Sequence, residues 1–427
     1  MKRTSCLVAF FLLFAANLQA QTSRNVLFIG NSYTDVNNLP QMVADIAQSM
    51  GDQLTFGKNT PGGCTFQQHC TNASMQLICN GGWDAVVLQE QSQYPSFPQS
   101  QVEAEVFPYA KRLVDSVYAN NPCAEPMFYQ TWGRKNGDQQ NAQYFPVLGT
   151  YEGMDSMLTV RYQYMAEAND ASLCPVGRVW RYLRENCPYV ELYQSDESHP
   201  SLAGTYAAAC SFYVMLFHRN PNTIQYNASL DDAIASTIRS AVAIVVYDSI
   251  DRWQRPQPQA SFAVDTVEGQ SVRFVSYATH AASAEWFFGD GETLTTMDAY
   301  VTHEYSDTGT YQVMQVAMRH CISDTFTLNI HVTPTGDTSD TLAIDEAGLF
   351  NSISLYPNPT VQSVILNLPD LMQGVYVELV SLDGRLLWSS YADNSSLQIP
   401  VKGVSSGVYL LRISDSRRTF VKKIVKQ

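Results

Sequence analysis

The chain has 427 residues, of which 45% are hydrophobic and 15% are charged, so it is long enough for more than one domain with its own core. Its formal net charge of −14 argues against nucleic acid or an anionic membrane surface as a partner. The same charge says little about a neutral substrate.

The N-terminus has the features of an export signal. Lys2-Arg3 is a basic start, residues 7–16 form an apolar run, and Leu18-Gln19-Ala20 fits a small-residue cleavage site. We therefore predict a signal peptide over residues 1–20 and a mature chain that begins at Gln21. The apolar run is short for a membrane span, and we expect no transmembrane segment in the mature chain.

Cysteines are compatible with export but do not indicate a metal site. Export permits disulfides, and the Cys70/Cys79 and Cys174/Cys187 pairs are each close enough in sequence to close a small loop. The pairing itself cannot be read from sequence. Because no Cys-x-x-Cys motif or Cys/His cluster has zinc spacing, we expect no metal and no other cofactor.

Residues 22–251 alternate short apolar runs with longer helical patterns, which predicts a parallel sheet covered by helices on both faces. The predicted strands are 25–29, 85–88, 127–131 and 190–193. The predicted helices are 39–50, 102–118, 151–169, 176–185 and 201–217. The Pro/Gln-rich residues 252–260 are predicted to be a linker.

Two β-rich modules follow this linker. Residues 261–333 carry alternating segments between Gly/Asp turns, which predicts a small β-sandwich, and residues 334–349 form a polar linker. The last module, 350–427, has predicted strands at 364–368, 376–380, 408–413 and 419–425. The predicted fold is thus a three-layer α/β/α domain with a parallel sheet, followed by two small all-β sandwich modules.

Ser32 stands out as a nucleophile. The first apolar run ends at Gly30, and the carboxyl end of a strand in an α/β sheet is where ligand sites gather. Far downstream, Asp196 and His199 offer a carboxylate and an imidazole. A Ser hydroxyl needs a base in hydrogen-bond reach, and that imidazole needs an acceptor to fix its tautomer. Taken alone, each residue is more typical of a turn or cap, but together they predict acyl-transfer chemistry.

Residues 24 to about 215 resemble a variant bacterial subgroup of the SGNH/GDSL hydrolase family. Gly30-Asn31-Ser32 stands where the family has Gly-Asp-Ser, and Asp196 and His199 match its Asp-x-x-His. The resemblance implies that Ser32 is the nucleophile, with its own N–H in the oxyanion hole. It implies further that His199 is the base and that Asp196 orients it.

The remaining oxyanion donors are less well defined by the resemblance. The family's glycine donor is best matched by Gly63, with Gly62 as the second choice. The family's Gly-x-Asn-Asp block is absent, and Gln89-Glu90-Gln91-Ser92 stands in its place. A Gln amide is the same type of donor as Asn on a longer stem, so we expect Gln89 or Gln91 to be the third donor. Gln89 is preferred because it is nearer the strand end.

Four further residues each allow two interpretations. Trp132, at a predicted strand end, either lines the substrate pocket or is a core aromatic residue. Asn31 belongs to the pocket or steadies the nucleophile loop through a local hydrogen bond. His69 fits a helix or loop histidine better than a base. Glu90 is either a second acid or, more in keeping with its type, a solvated or salt-bridged carboxylate.

The second module resembles a PKD domain. It carries Trp286-Phe287-Phe288-Gly289-Asp290-Gly291, then His303-Glu304-Tyr305 and Thr308-Gly309-Thr310-Tyr311. Gly289-Asp290-Gly291 suits a tight turn and Trp286 a sandwich core. In exported enzymes such domains are spacers or weak carbohydrate-binding modules, and we favour the spacer.

The third module resembles the C-terminal sorting domain of the type IX secretion system. The motifs are Leu355-Tyr356-Pro357-Asn358-Pro359, Leu382-Asp383-Gly384-Arg385, Gly407-Val408-Tyr409-Leu410 and Phe420-Val421-Lys422-Lys423-Ile424-Val425. A generic β-sandwich with a lysine-protected edge strand is the plain alternative. The resemblance implies contact with the secretion machinery and a secreted or surface-attached protein.

These expectations together indicate a secreted serine hydrolase, in the form of a carboxyl esterase that removes acetyl or other acyl groups from extracellular glycans. One alternative is a non-catalytic glycan-binding or adhesion protein on the same scaffold. A second is a lipase or thioesterase of the same fold. The polar character of residues 136–153, which do not form an apolar lid, weighs against the lipase.

Overall fold

The structure is a computed structural model that describes residues 21–333, 353–369, 375–381, 385–392, 394–414 and 419–426. Two compact units make up the chain, residues 1–256 and residues 257–427. The predicted signal peptide and the predicted linker 334–349 lie outside the described residues, as do Leu382, Asp383 and Gly384 of one sorting motif.

The first unit is built on a parallel sheet of five strands in the order β2-β1-β3-β4-β5. Its strands are β1 Ser23–Ile29, β2 Gln53–Asn59, β3 Ala85–Leu88, β4 Glu125–Tyr129 and β5 Ser172–Cys174. The strand order reverses at β1, which lies between β2 and β3. In such a sheet the crevice beyond the carboxyl ends of the strands at the reversal is the expected ligand site.

Helices pack in two groups, α2, α9, α10 and α11 in one and α3, α4, α6 and α8 in the other. The α-helices are α1 Ser32–Asp35, α2 Leu39–Ser49, α3 Phe66–His69, α4 Ala73–Asn80, α5 Gln99–Glu105, α6 Phe107–Asn120, α7 Gln139–Ala142, α8 Tyr151–Ala168, α9 Val176–Asn186, α10 Leu202–Phe217, α11 Asp232–Val245 and α12 Ile250–Trp253. Short 3-10 helices span Val36–Asn38, Tyr94–Ser96, Pro146–Gly149, Pro221–Thr223 and Tyr247–Ser249.

The core of the first unit joins the strands of the sheet to both groups of helices, including α6, α8 and α10. Strand β3 is buried along its whole length, as expected for a central parallel strand with helices on both faces. Helix α10 is buried at every residue after Leu202, which fits its apolar composition on all sides. Phe212 of α10 meets Phe28 of β1 edge to face at 5.7 Å. Ser201 caps the helix by accepting the N–H of Gly204 at 3.1 Å.

The predicted α/β architecture is confirmed, but three predicted elements differ. Residues 190–193 form a loop with a single bridge from Tyr193 to Pro200, and no strand. The edge strands β2 and β5 were not predicted, because β2 is mostly polar and β5 has only three residues. The predicted helix 102–118 divides into α5 and α6, since Pro108 in the first turn of α6 supplies no N–H to continue the preceding helix.

A candidate membrane span is a helix that is long and apolar enough to cross a bilayer. Within the described residues, Asp232–Trp253 meets that criterion by length and composition. A core helix of a soluble protein passes the same test, and the α11 side chains Ala235, Ile238, Ala241 and Val242 are buried in the first unit.

The small cysteine loops suggested by sequence do not close. Cys70, Cys79, Cys174 and Cys187 are free thiols. Helix α9, with 11 residues, separates Cys174 from Cys187. A helix of that length extends about 16 Å, well beyond the reach of a disulfide.

The second unit contains two antiparallel β-modules, each with its own core. The first has sheets β10-β7-β6 and β12-β11-β8-β9 around Trp286, Phe274 and Phe262. The second has sheets β13-β14-β17 and β16-β15-β18-β19. The strands are β6 Phe262–Glu268, β7 Ser271–Ser276, β8 Ser283–Phe287, β9 Thr293–Thr295, β10 Tyr300–Glu304, β11 Gly309–Arg319, β12 Ile322–Val332, β13 Ser354–Tyr356, β14 Ser363–Asn367, β15 Val375–Ser381, β16 Leu386–Ala392, β17 Ser396–Pro400, β18 Gly407–Ser414 and β19 Thr419–Lys426.

Candidate active site

Ser32 begins the short helix α1, immediately beyond the carboxyl end of β1. Asn31 caps that helix, because its side-chain oxygen accepts the N–H of Tyr33 at 3.1 Å. The Asn31 amide nitrogen donates to the carbonyl oxygen of Cys64 at 3.1 Å. Asn31 therefore both shapes the turn that carries Ser32 and joins it to the segment that follows Gly63.

Gln89, at the end of β3, braces the same turn from the neighbouring strand. Its side-chain oxygen accepts the Asn31 N–H at 2.9 Å and the Thr34 hydroxyl at 2.9 Å. Its amide nitrogen donates to the Asn31 side-chain oxygen at 3.0 Å and to the Glu90 carbonyl. Both amide protons are thus engaged and the side chain is fully buried, so the expectation of Gln89 as an oxyanion donor does not fit the structure.

His69 supports the nucleophile turn from behind. Its Nε2 lies 2.9 Å from the carbonyl oxygen of Gly30, which can only accept, so Nε2 carries the proton. Nδ1 then accepts from the Ser74 hydroxyl at 2.7 Å. Burial lowers the pKa of His69, in keeping with a neutral ring that serves the structure.

Position 30 must be glycine, because a β-carbon there would overlap the side chains of Thr34 and Gln89.

His199 and Asp196 lie on the loop between α9 and α10, and His199 faces Ser32. His199 Nε2 is 2.9 Å from Ser32 Oγ, and His199 Nδ1 is hydrogen-bonded to the Asp196 carboxylate. The other Asp196 oxygen accepts the N–H groups of Ser198 at 3.1 Å and His199 at 3.0 Å. Burial by itself raises the pKa of Asp196, but these hydrogen bonds outweigh it and hold that pKa below its ordinary value.

The tautomer of His199 follows from these contacts. An ionised Asp196 can only accept, so Nδ1 carries the proton and Nε2 is free to accept the hydroxyl proton of Ser32. The three residues thus form a continuous chain from carboxylate to hydroxyl. This arrangement is the one in which a serine can be deprotonated as it attacks.

An aromatic stack fixes the loop that carries His199. The Trp132 ring lies parallel to Tyr33 at 4.8 Å and to Trp180 at 3.6 Å. The Trp132 Nε1–H donates to the Ser198 carbonyl at 3.1 Å, and the Tyr33 hydroxyl meets the Ser198 hydroxyl at 2.6 Å. Trp132 is fully buried and does not line the pocket, so of its two interpretations the core aromatic residue is the one the structure supports.

A pocket of about 220 Å³ opens at the Ser32–His199 hydrogen bond. None of the lining residues has an aliphatic side chain, and they are Asn31, Ser32, Tyr33, Gly63, Gln91, Ser92, Arg134, Ser198 and His199. Of the predicted site residues, Gly62, Gln89, Trp132 and Asp196 are outside this lining. The sequence analysis missed Tyr33, Ser92, Arg134 and Ser198. Each follows a predicted strand or adjoins a predicted site residue, which is the signal that would have found them.

Donors for an oxyanion are available in this pocket. The backbone N–H groups of Ser32 and Gly63 have no acceptor among the residues that the structure describes. Gly63 has a φ of +66°, a conformation that favours glycine. The Gln91 amide nitrogen donates one proton to Gln93 at 3.2 Å, which leaves its second proton for a ligand. Gln91, rather than Gln89, is therefore the side-chain donor that the pocket offers.

Glu90 is buried beneath these donors and is neither solvated nor salt-bridged, contrary to the more conventional expectation. Its two carboxyl oxygens each accept the Phe66 N–H at 3.0 Å, and one accepts the Gln91 N–H at 2.6 Å. Burial raises its pKa to about 8. Glu90 therefore joins the segment after Gly63 to the segment after β3, below the pocket floor.

Within the described ranges, no group of three or more His, Cys, Asp and Glu side chains is placed to hold a metal ion.

Two family matches account for the C-terminal unit. Residues 259–332 match the PKD domain, and residues 354–427 match the secretion system C-terminal sorting domain. These results confirm both resemblances noted in the sequence. The sorting domain marks the protein for export by the type IX secretion system, to the cell surface or the extracellular space.

Three of the solved structures that are similar to this chain illustrate the matches. A DUF4886 family protein from Bacteroides uniformis is 17% identical, with 53% of this chain and 95% of that chain covered and a TM-score of 0.46. A proposed SGNH hydrolase from Slackia heliotrinireducens is 24% identical, with 45% and 98% covered and a TM-score of 0.38. The PKD1 domain of the Vibrio cholerae metalloprotease PrtV is 31% identical, with 18% and 99% covered and a TM-score of 0.17. No curated protein matches the sequence.

Proposed function

We propose that the first unit is a secreted serine hydrolase that acts as a carboxyl esterase of the SGNH type. The observation that carries the proposal is the chain of hydrogen bonds from Asp196 through His199 to Ser32, with 2.9 Å between His199 Nε2 and Ser32 Oγ, at the mouth of a pocket. The resemblance in sequence assigns the same three residues. A nucleophile, a base and an orienting acceptor in this order are what acyl transfer requires.

The proposed reaction has two halves. Ser32 Oγ attacks the ester carbonyl carbon while its proton passes to His199 Nε2, and the carbonyl oxygen becomes an oxyanion. The N–H groups of Ser32 and Gly63 and the amide of Gln91 receive that charge. Collapse expels the alcohol, which takes the proton from His199 and leaves an acyl group on Ser32. A water molecule then repeats the sequence, so that the acid is released and the serine restored.

The size and the lining residues of the pocket favour a small, polar substrate. None of its nine lining residues is aliphatic, and its volume of about 220 Å³ is small for a long acyl chain. Export by the type IX system places the enzyme among extracellular material, and the PKD domain would serve as a spacer. We therefore propose short acyl esters of extracellular glycans, such as O-acetyl groups, in preference to the lipids or thioesters of the alternative functions.

A pair of serine variants tests this function. We expect the purified protein to hydrolyse 4-nitrophenyl acetate, and Ser32→Ala to lower kcat/KM by roughly 10⁴-fold or more, because the nucleophile is lost. Ser116→Ala, on the exposed face of α6, serves as the matched control and is expected to retain wild-type activity. Hydrolysis by Ser32→Ala at the wild-type rate would refute the serine mechanism.

Acyl-chain length separates the esterase from the lipase alternative. We expect kcat/KM to fall steeply between the acetyl and the octanoyl ester of the same nitrophenol, because the pocket is small and has no aliphatic side chain against which the longer chain could pack. A rate that rises with chain length would favour the lipase.

A further inference from the structure

Arg134 is a charged residue in the pocket to which the proposed reaction gives no role. It follows β4 by five residues and lines the same cavity as Ser32 and His199. Its side chain is 25% exposed, so part of the guanidinium reaches the open space of the cavity. An arginine keeps its charge at any physiological pH, and among the nine lining residues it is the one permanently charged group.

The position of Arg134 is fixed by a buried carboxylate. Arg134 Nη1 donates to Asp138 at 3.2 Å, and the Asp138 side chain is completely buried. The other Asp138 oxygen accepts the side-chain amides of Gln93 and Asn141, each at 2.7 Å. The Asp138 carboxylate therefore accepts hydrogen bonds from three side chains, including Arg134. It acts as a rigid anchor that keeps the arginine in one orientation.

The anchor leaves donors of Arg134 unused. Nη2 makes no hydrogen bond to any residue that the structure describes, and Nε is buried without a partner. The arginine thus uses one of its five N–H donors in the ion pair with Asp138. A fixed guanidinium with spare Nη donors is a suitable partner for a planar carboxylate, because the two match in charge and geometry.

The pocket residues next to Arg134 carry no negative charge that would compete with a ligand for its guanidinium group. Gln91 and Ser92 line the cavity as neutral polar residues, and the only carboxylate bonded to Arg134 within the described part of the chain is the buried Asp138. A substrate carboxylate would therefore meet a cation that lies in the same small cavity as the nucleophile.

We propose that Arg134 is a specificity residue that binds a carboxylate on the alcohol part of the ester, so that the substrates are acylated acidic sugars such as uronates. This inference rests on the proposed function, because it names the substrate class of the same site. It distinguishes an enzyme for acidic glycans from one that removes acyl groups from any short ester.

Two matched sugars test the inference on the full-length protein. Monoacetyl glucuronate and monoacetyl glucose differ at C6, which is a carboxylate in one and a hydroxymethyl group in the other. We expect the wild-type protein to prefer the glucuronate by about 10- to 100-fold in kcat/KM, the range for a hydrogen bond to a charged group. The preference should fall as ionic strength rises, because an exposed charge contact is screened.

Variants of Arg134 supply the second readout. Arg134→Gln should bring the ratio of the two kcat/KM values close to one, mainly through a higher KM for the glucuronate, and Arg134→Lys should keep part of the preference. Should the Gln variant fail to fold, the wild-type ratio and its dependence on salt remain decisive.

The outcomes separate this inference from the proposed function. Hydrolysis of both sugars at equal rates by the wild-type protein, or an unchanged preference in Arg134→Gln, would overturn the role of Arg134 and leave the esterase intact. If the protein hydrolysed neither of the two sugars and also failed to hydrolyse 4-nitrophenyl acetate, the proposed function itself would be overturned.

Discussion

The two halves of the proposed catalytic site are built in different ways. The turn that carries Ser32 is buried, with Asn31 and Tyr33 each 2% exposed, and its supports come from β3 and from helix α3. The loop that carries His199 is open to solvent, with the Asp196 side chain 47% exposed, and its essential hydrogen bonds span only two or three residues.

The fold as a whole therefore positions the nucleophile, whereas mainly local hydrogen bonds position the base. The nucleophile turn leads into a helix of only four residues, and partners that lie up to 58 positions away in sequence fix the backbone at Asn31. The base loop is also held from outside, by the contacts of Trp132 and Tyr33 with Ser198 and by the hydrogen bonds of Lys135 and Asn136 to Glu197. Substitutions around the nucleophile should therefore affect stability together with activity, whereas substitutions in the base loop should affect activity alone.

The two histidines of the site give the largest expected contrast. His199→Ala should lower kcat/KM by roughly 10³-fold or more, because the general base is lost. Since His199 lies on an exposed loop, the melting temperature should change little. His69→Ala should instead lower the free energy of unfolding by about 2–4 kcal/mol. The substitution removes a buried ring and leaves the Gly30 carbonyl and the Ser74 hydroxyl without their hydrogen bonds to His69. Ester hydrolysis and calorimetry of both variants measure the contrast.

The opposite pattern would break the comparison. A His199→Ala protein that melts far below the wild type would mean that the base loop is part of the folding core. A His69→Ala protein of wild-type stability would mean that the buried hydrogen bonds to the nucleophile turn contribute nothing.

The same substitution at Gln89 and at Gln91 tests the roles of these two residues. Gln91→Glu keeps the oxygen that accepts the Gln93 N–H but removes the amide donor, so kcat should fall by about 10²-fold with a small change in melting temperature. Gln89→Glu loses the donors to Asn31 and to the Glu90 carbonyl in a buried position. We expect it to lower the free energy of unfolding by about 2–4 kcal/mol.

Steady-state kinetics and thermal melts of both variants distinguish the two roles. If Gln89→Glu were as stable as wild type and lost only kcat, Gln89 would be the oxyanion donor after all, and the structural role given to it here would be wrong.

Glu90 adds an effect that depends on pH. Its pKa of about 8 in the folded protein exceeds its ordinary value of 4.5, so between these values the folded protein retains a proton that the unfolded chain releases. The contribution of Glu90 to stability should therefore be fully present below about pH 4.5 and be lost as the pH rises towards about 8, by at most about 1.4 kcal/mol per pH unit.

Glu90→Gln should remove this decline, because an amide does not titrate. Melting temperatures of the wild type and the variant at several values between pH 5 and pH 8 provide the measurement, with the exposed Glu167→Gln as the matched control. Parallel curves for wild type and Glu90→Gln would show that Glu90 does not retain its proton in the folded protein.

Much of the architecture could be predicted from short stretches of sequence. The parallel strands β1, β3 and β4 and the helices α2, α8, α9 and α10 were recognisable because each has a long apolar run or a clear periodicity. The edge strands β2 and β5 were not, since one is largely polar and the other has three residues. The break between α5 and α6 depends on Pro108, whose effect the periodicity of the surrounding residues obscured.

The sequence by itself determined which residues are suited to acyl transfer, because Ser32 at a strand end and the Asp196–His199 spacing are local features. It also determined the export route through the sorting motifs, which are continuous in sequence. What Gln89, Gln91, Trp132 and Arg134 do was decided only by the tertiary structure. Each of them has a side chain that suits either the core or the pocket, and its role depends on which partners from other strands and loops occupy its hydrogen-bonding groups.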